Sequence, residues 1–125
     1  MRRSTTQRTI LVVEDEVFIR MSAVAALEDA GFFVLQANNS AEAVAVLSRH
    51  SETDILMTDV RMPGPMDGLA LVARVQIDHP AIRSIVVSSN SSAEQARNAG
   101  ASGFVAKPYL AATIVQAVHD TLLQH

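Results

Sequence analysis

The sequence predicts an α/β fold, a doubly wound five-stranded parallel sheet with helices on both faces. Two observations lead to this prediction. Five short apolar runs alternate along the chain with five segments whose apolar residues recur at helical spacing. Most of the runs lack polar alternation, which is typical of parallel strands covered on both faces. Right-handed crossovers between consecutive βα units then place helices on the two sides of the sheet.

The apolar runs predict the strands, because they are short and rich in Val, Ile and Leu. The strands are expected at residues 9–13, 33–37, 54–58, 83–87 and 103–106. The first helix is expected at residues 16–30, because its apolar residues recur at helical spacing and Gly31 is a natural stop.

The remaining helices have recognisable starts and stops. The second and third helices start near two good N-cap residues, Ser40 and Asp67, and the third must end before Pro80. The fourth opens with Ser91 and Glu94, which are spaced as a capping box. It stops at Gly100, and the fifth runs from about Leu110 to the C-terminus.

Composition limits the function classes. The 125 residues suggest one domain, and 49% hydrophobic with 18% charged residues is typical of a globular chain. The absence of cysteine excludes disulfides and thiolate metal sites. No apolar run reaches the ~20 residues of a membrane helix, and no basic patch suggests nucleic acid. We expect residues 1–8 to form a flexible basic tail, residues 9–125 to form the domain, and the location to be cytoplasmic.

Polar side chains follow four of the five predicted strands. Glu14, Asp15 and Glu16 follow the first strand and Asp59 follows the third. A hydroxyl, Ser88, follows the fourth strand, and an ammonium group, Lys107, follows the fifth. Ligands of open α/β sheets bind at the carboxyl ends of the strands, so these groups are expected to meet at one edge.

The charges at this edge indicate phosphoryl transfer. Clustered carboxylates repel one another and raise each other's pKa. A hard divalent cation removes that repulsion, and Mg²⁺ suits carboxylate oxygens. A carboxylate nucleophile, Mg²⁺, a lysine and a hydroxyl together resemble the equipment of phosphoryl transfer, in which positioning and charge neutralisation do most of the catalysis.

Each of these residues has a purely structural alternative. Asp59 alone could be a turn former, the acidic residues after the first strand could cap a helix, and Lys107 could belong to a strand-ending turn. Their convergence on one edge favours function. Other enzyme classes fit less well, because the chain has neither a glycine-rich turn after the first strand nor a P-loop. Its four histidines show no ligand or catalytic spacing.

Several segments also resemble one known family. They are VVEDE at residues 12–16, TDVRMP at 58–63, MDG at 66–68 and AGASGFVAKPY at 99–109. In this order they resemble the receiver domain of two-component response regulators, and the resemblance covers residues 9 to about 123. It implies a flavodoxin-like sheet with strand order 2-1-3-4-5, which is the order known for the chemotaxis regulator.

The resemblance also implies the roles of the acidic residues. Asp59 would be the phosphoacceptor, which forms an acyl phosphate, and would also bind the metal. Asp15 would be the main acidic Mg²⁺ ligand, and Glu14 would hold metal-bound water. The backbone carbonyl of Arg61 would complete the protein ligands.

Four further residues take roles from the same resemblance. Lys107 would contact Asp59 or its phosphoryl oxygens, and Ser88 would hydrogen-bond the phosphoryl group. Phe104 would be the switch aromatic residue, and the bond before Pro108 would be cis, which X-Pro bonds tolerate.

Two residues are expected to tune the rate of dephosphorylation. Arg61 lies two residues after the phosphoacceptor, and Asn90 lies two residues after the switch hydroxyl. Both flank the path of the attacking water, so either can admit or block it.

Two segments depart from the usual family pattern. The loop from Met62 to Asp67 has an extra residue and carries two prolines. The segment from Ser88 to Lys107 is shorter than usual, so the fourth helix or its leading loop must be trimmed. The site is expected to survive both changes, whereas the face of the fourth helix is expected to differ.

The expected function is that of a single-domain bacterial response regulator, a phosphoacceptor signalling domain rather than a conventional enzyme. A sensor histidine kinase or a histidine phosphotransfer protein would phosphorylate Asp59 in a Mg²⁺-dependent reaction, and the product would signal through protein interactions. A phosphorelay intermediate or phosphate sink without its own target is the alternative. Homodimerisation and a downstream protein target both stay open, while no nucleic-acid or membrane partner is expected.

Overall fold

Five strands and five helices alternate along the chain in the computed structural model, which describes residues 7–124. The strands are β1 (Thr9–Val13), β2 (Phe33–Ala37), β3 (Ile55–Asp59), β4 (Arg83–Ser88) and β5 (Gly103–Ala106). The helices are α1 (Val17–Asp29), α2 (Ser40–Arg49), α3 (Gly68–Asp78), α4 (Ala93–Ala99) and α5 (Ala111–Leu122).

The strands form one parallel sheet in the order β2-β1-β3-β4-β5. This confirms the expected doubly wound architecture and strand order. Successive residues of β1 point to opposite faces of the sheet. Ile10 and Val12 pack with residues of α1 and α5, whereas Leu11 and Val13 pack with residues of α2, α3 and α4. Both faces of the sheet are therefore covered, which explains why its strands are almost continuously apolar.

One predicted helix start is wrong by one residue. Asn39, not Ser40, is the N-cap of α2, and its Oδ1 accepts a hydrogen bond from the Glu42 backbone N–H at 2.8 Å. Asn39 has an extended backbone, as an N-cap requires, and Ser40 is already helical. The predicted start of α3 is confirmed, because Asp67 caps that helix by accepting from the Ala70 N–H.

The predicted capping box of α4 is also displaced by one residue. It consists of Ser92 and Gln95, not Ser91 and Glu94. The Gln95 N–H donates to Ser92 Oγ at 3.1 Å, and the Ser92 N–H donates to Gln95 Oε1 at 2.8 Å. The helix ends at Gly100, as predicted, and is shorter than the other four.

Two strands extend further toward the polar edge than predicted. β3 starts and ends one residue later than expected, so Asp59 is its last residue. β4 includes Ser88. The backbones of both residues are therefore fixed by the sheet rather than by loops.

The N-terminal segment is described only in part. Residues 1–6 of the expected tail lie outside the described residues, so that prediction stays open. The Gln7 side chain donates to the Gly31 carbonyl, and the Arg8 guanidinium pairs with Asp54. Within residues 7–124, no helix is long and apolar enough to cross a membrane.

Candidate functional site

Strand register brings the predicted site residues to one edge. β1 and β3 pair Val13 with Thr58, so the residues that follow them, Glu14 and Asp59, meet at the carboxyl end of the sheet. β4 and β5 pair Ser88 with Ala106, and the Lys107 N–H donates to the Ser88 carbonyl at 3.0 Å. The side chains expected to share a site therefore come from the ends of four neighbouring strands, β1, β3, β4 and β5, at one edge of the sheet.

Glu14 is the buried acidic residue of this cluster of side chains. It is only 5% exposed, although its side chain is a carboxylate. Its backbone N–H donates to the Ala37 carbonyl at 3.1 Å. Its Oε2 accepts from the Glu16 N–H at 3.1 Å, and its Oε1 accepts from Lys107 Nζ at 2.8 Å. A buried carboxylate with these partners is paired rather than left uncompensated.

Lys107 joins Glu14 to Asp59. Its Nζ lies 2.8 Å from Glu14 Oε1 and 3.2 Å from Asp59 Oδ2. The other oxygen of Asp59, Oδ1, accepts from the Val60 N–H at 2.8 Å. Asp59 is thus held by one ammonium group and one backbone donor at the end of β3.

Three carboxylates form a cluster beside this lysine. One oxygen each of Glu14, Asp15 and Asp59 can be chosen so that all three lie within 4.8 Å of one another. Glu14 is buried, Asp59 is half-buried and Asp15 is exposed, so the cluster opens to solvent on the Asp15 side. This all-oxygen set of donors fits Mg²⁺, which prefers carboxylate oxygens and keeps several waters.

The electrostatics of the cluster follow from its burial. Burial raises the pKa of Glu14 above the usual 4.5, and the nearby Asp59 charge adds to the increase, while Lys107 opposes it. Burial alone would lower the pKa of Lys107, but its hydrogen bond to Glu14 and the charge of Asp59 outweigh that effect and raise it. Lys107 is therefore a permanent cation at neutral pH.

Ser88 is buried at the end of β4, 4% exposed. Its Oγ accepts from the backbone N–H groups of Asn90 and Ser91 at 3.1 and 2.9 Å. These bonds use the oxygen as an acceptor, which leaves the hydroxyl proton available for donation. Ser88 thus also orders the β4–α4 loop, a role that no motif in the sequence indicates.

Arg61 and Asn90, the predicted rate-tuning pair, contact each other. With the Asn90 amide oriented so that its oxygen faces the guanidinium, Arg61 Nε and Nη2 both donate to that oxygen at 3.2 Å. Both side chains are exposed. The contact links the loop after β3 to the loop after β4.

Phe104 is half-buried on β5, opposite Val86 of β4. It packs against the core cluster on the α2–α4 side of the sheet. It also lines two surface cavities, one of 250 Å³ beside α4 and one of 530 Å³ beside α5. The expected switch residue therefore lies between two open spaces rather than fully in solvent.

The segment after β5 borders another surface cavity. The Lys107–Pro108 peptide bond is cis. Pro108 and Tyr109 line a cavity of 460 Å³ together with Phe18, whose side chain is 85% exposed. Lys107 belongs to the same lining, so this apolar cavity adjoins the acidic cluster.

Two residues that shape the site were not identified from the sequence. A Cβ placed on Gly68 would overlap the backbone oxygen of Asp59 and lie 2.8 Å from its carbonyl carbon. The Gly68 N–H also donates to the Val60 carbonyl at 2.8 Å, so the start of α3 packs directly against the end of β3. The other residue is Arg20, whose guanidinium donates to the Glu14 carbonyl. Both contacts depend on the folded arrangement, although the MDG motif does contain Gly68.

Comparison with known proteins is consistent with this geometry. Residues 10–119 match the family model of the response regulator receiver domain. The chemotaxis protein CheY of Bacillus subtilis is 36% identical over 117 residues, which cover 90% of this chain and 96% of CheY. The sensor kinase CckA of Brucella abortus is also 36% identical, but the match covers 91% of this chain and only 12% of the kinase.

Solved structures give the same result. CheY4 of Vibrio cholerae has a TM-score of 0.85 at 26% identity, covering 93% of this chain and 99% of that chain. A CheX–CheY–BeF3–Mg complex from Borrelia burgdorferi has a TM-score of 0.87 at 25% identity, covering 94% and 90%. With the fold, the acidic edge and these matches in agreement, the chain belongs to the family of response regulator receiver domains.

Proposed function

We propose that this receiver domain accepts a phosphoryl group on Asp59 in a Mg²⁺-dependent reaction and signals through phosphorylation-dependent protein interaction. The donor is a phosphohistidine of a sensor histidine kinase or of a phosphotransfer protein, since receiver domains act with such proteins in two-component systems. The observation that carries the proposal is the Lys107 ammonium group, which bridges Glu14 and Asp59 beside the three-carboxylate cluster.

The transfer step assigns a separate task to each side chain. An oxygen of the Asp59 carboxylate attacks phosphorus, the new O–P bond forms, and the P–N bond to the donor imidazole breaks. The electron pair of that bond goes to the imidazole nitrogen, which takes a proton from solvent. Lys107 balances negative charge next to Asp59, and the Ser88 hydroxyl donates its proton to a phosphoryl oxygen. Later attack by water releases inorganic phosphate and restores Asp59.

Mg²⁺ fits the same edge as a bound cofactor. Asp15, Glu14, Asp59 and the Arg61 carbonyl are the groups that would hold it, Glu14 through water. When bound, the ion neutralises charge on the phosphoryl oxygens. A related CheY was solved in a complex with CheX, BeF3 and Mg²⁺, which supports the use of beryllofluoride and Mg²⁺ as probes of this site.

Phosphoryl uptake from a small donor tests the proposal. Acetyl phosphate with Mg²⁺ should add one phosphoryl group to the wild-type chain, measured by intact mass, and the label should be lost in alkali or hydroxylamine. Asp59→Asn should abolish uptake because an amide is not an anionic nucleophile. Asp78→Asn, which changes an exposed carboxylate at the end of α3, is the matched control and should label normally. Full labelling of Asp59→Asn would refute the assignment.

The lifetime of the phosphorylated state should depend on Arg61 and Asn90. Each single alanine variant is expected to change the hydrolysis rate while leaving the fold intact. Because the two side chains hydrogen-bond each other, their effects should be non-additive in a double-mutant cycle. Phosphate release from the labelled protein measures these rates. Unchanged phosphorylation and hydrolysis rates in both single variants would contradict the idea.

Signal output is proposed to run through Phe104. A new bond from Ser88 to a phosphoryl oxygen would disturb the β4–α4 loop, which Ser88 now holds, and would shift the population of Phe104 positions. Adding beryllofluoride and Mg²⁺ should therefore move the NMR signals of Phe104 and of α5, and sedimentation should report any dimer. Shifts confined to the loops around Asp59 would favour the relay or phosphate-sink alternative.

A further inference from the structure

Arg20 makes an unusual contact with the acidic loop. Its Nη1 donates to the backbone carbonyl of Glu14 at 2.6 Å. Its Nε donates to Gln36 Oε1 of β2 at 3.2 Å. The guanidinium therefore spans from α1 to the loop after β1 and to the neighbouring strand.

The position of Arg20 is electrostatically unfavourable in itself. Arg20 lies in the first turn of α1, and this turn contains no acidic residue that could offset its charge. A cation there is opposed by the positive end of the helix dipole. Its guanidinium also contacts the backbone of Glu14, a member of the carboxylate cluster that is proposed to hold Mg²⁺, so its charge repels the ion. A role based on charge alone would therefore weaken metal binding.

The geometry explains what the contact does instead. The other polar groups of Glu14 are already held by Ala37, Glu16 and Lys107. The carbonyl that Arg20 binds belongs to the peptide unit joining Glu14 to Asp15. Because a peptide unit is planar, fixing this carbonyl also fixes the direction in which the Asp15 backbone leaves it. Arg20 can hold this carbonyl in one direction because its guanidinium is planar and rigid, and because its second donor is fixed by Gln36.

We propose that Arg20 is a positioning residue that sets the peptide between Glu14 and Asp15, and thereby the Asp15 carboxylate, for Mg²⁺ binding. The inference rests on the proposed Mg²⁺ site. Gln36 of β2 contributes to the same positioning, because its side-chain oxygen accepts a hydrogen bond from the guanidinium and holds it in place.

Mg²⁺ titration of the full, unphosphorylated chain tests the inference, with the dissociation constant taken from amide NMR shifts. Arg20→Ala is expected to weaken Mg²⁺ binding roughly tenfold, the lower end of the range seen when outer-shell partners of metal ligands are removed. Arg20→Lys keeps the charge and one donor and should restore part of the affinity. Gln36→Ala should cause a smaller loss. Arg49→Ala, an exposed arginine at the end of α2, is the control and should bind like the wild type.

The direction of the change in Mg²⁺ affinity distinguishes a positioning role of Arg20 from a purely electrostatic one. If Arg20 acted only as a charge, Arg20→Ala would bind Mg²⁺ more tightly, and that result, or an unchanged affinity, overturns the inference. If Arg20→Ala fails to fold, Gln36→Ala decides, and wild-type affinity in that variant also overturns it. Absence of Mg²⁺ binding in the wild type would instead overturn the proposed metal site and the inference together.

Discussion

Gly68→Ala is expected to destabilise the domain and to slow phosphorylation. The added Cβ would overlap the backbone oxygen of Asp59, and the neighbouring atoms are backbone, which cannot move aside as a flexible side chain can. Over-packing of this kind costs about 1–3 kcal/mol of unfolding free energy, and a backbone clash belongs at the upper end. Because the clash displaces Asp59, the proposed phosphoacceptor, uptake from acetyl phosphate should fall as well.

A second glycine provides the control for this prediction. Gly31 has φ of +97°, but a Cβ there meets nothing within 4 Å. Gly31→Ala should therefore cost only the strain of a left-handed alanine, about 1–2 kcal/mol, and leave phosphorylation unchanged. Urea unfolding and the labelling assay report both quantities. Equal phosphorylation by Gly68→Ala and the wild type would show that the contact with Asp59 does not matter.

Lys107→Met is expected to lower stability and to increase the stabilisation that Mg²⁺ provides. The substitution keeps the length of the side chain but leaves Glu14 buried without its cation, and breaking such a pair costs on the order of 3 kcal/mol. The pKa of Glu14, already raised, should rise further. Mg²⁺ then replaces the positive charge that Lys107 supplied to these carboxylates, so it should raise the unfolding free energy of the variant more than that of the wild type.

The exposed ion pair on α3 provides the comparison. Arg74 and Asp78 are about half exposed and lie 3.3 Å apart. Arg74→Met should cost only about 0.3–0.5 kcal/mol and should not alter the effect of Mg²⁺. If Mg²⁺ stabilised Lys107→Met no more than the wild type, the ammonium group and the metal would not share the same carboxylates.

The fold could be predicted largely because its signals are local. Unbroken apolar runs identified the strands, and Gly31 and Gly100 marked helix ends where a positive φ is required. The two displaced caps show the limit of such signals. Ser91 and Ser92 have the same side chain, so only the extended backbone of Ser92 in the folded chain decides which of them caps α4.

The candidate site could be predicted from the sequence only as a set of residues. The polar groups after β1, β3, β4 and β5 were expected at one edge, and the structure brings Glu14, Asp59 and Lys107 into direct contact. The contacts that set their orientation could not be predicted. Arg20 reaches a backbone carbonyl, and Gly68 approaches a backbone oxygen, so no complementary side-chain type marks either partner in the sequence.

Chemical trapping of the phosphorylated residue tests the central claim most directly. Borohydride reduces an acyl phosphate to an alcohol, so it converts a phosphorylated aspartate to homoserine, which peptide mass spectrometry can locate without any mutation. After treatment of the wild-type chain with acetyl phosphate and Mg²⁺, homoserine should be found at position 59 and at no other acidic residue, and chelation of Mg²⁺ should prevent its formation. Homoserine at another position, or none while the chain carries a phosphoryl group, would contradict the account.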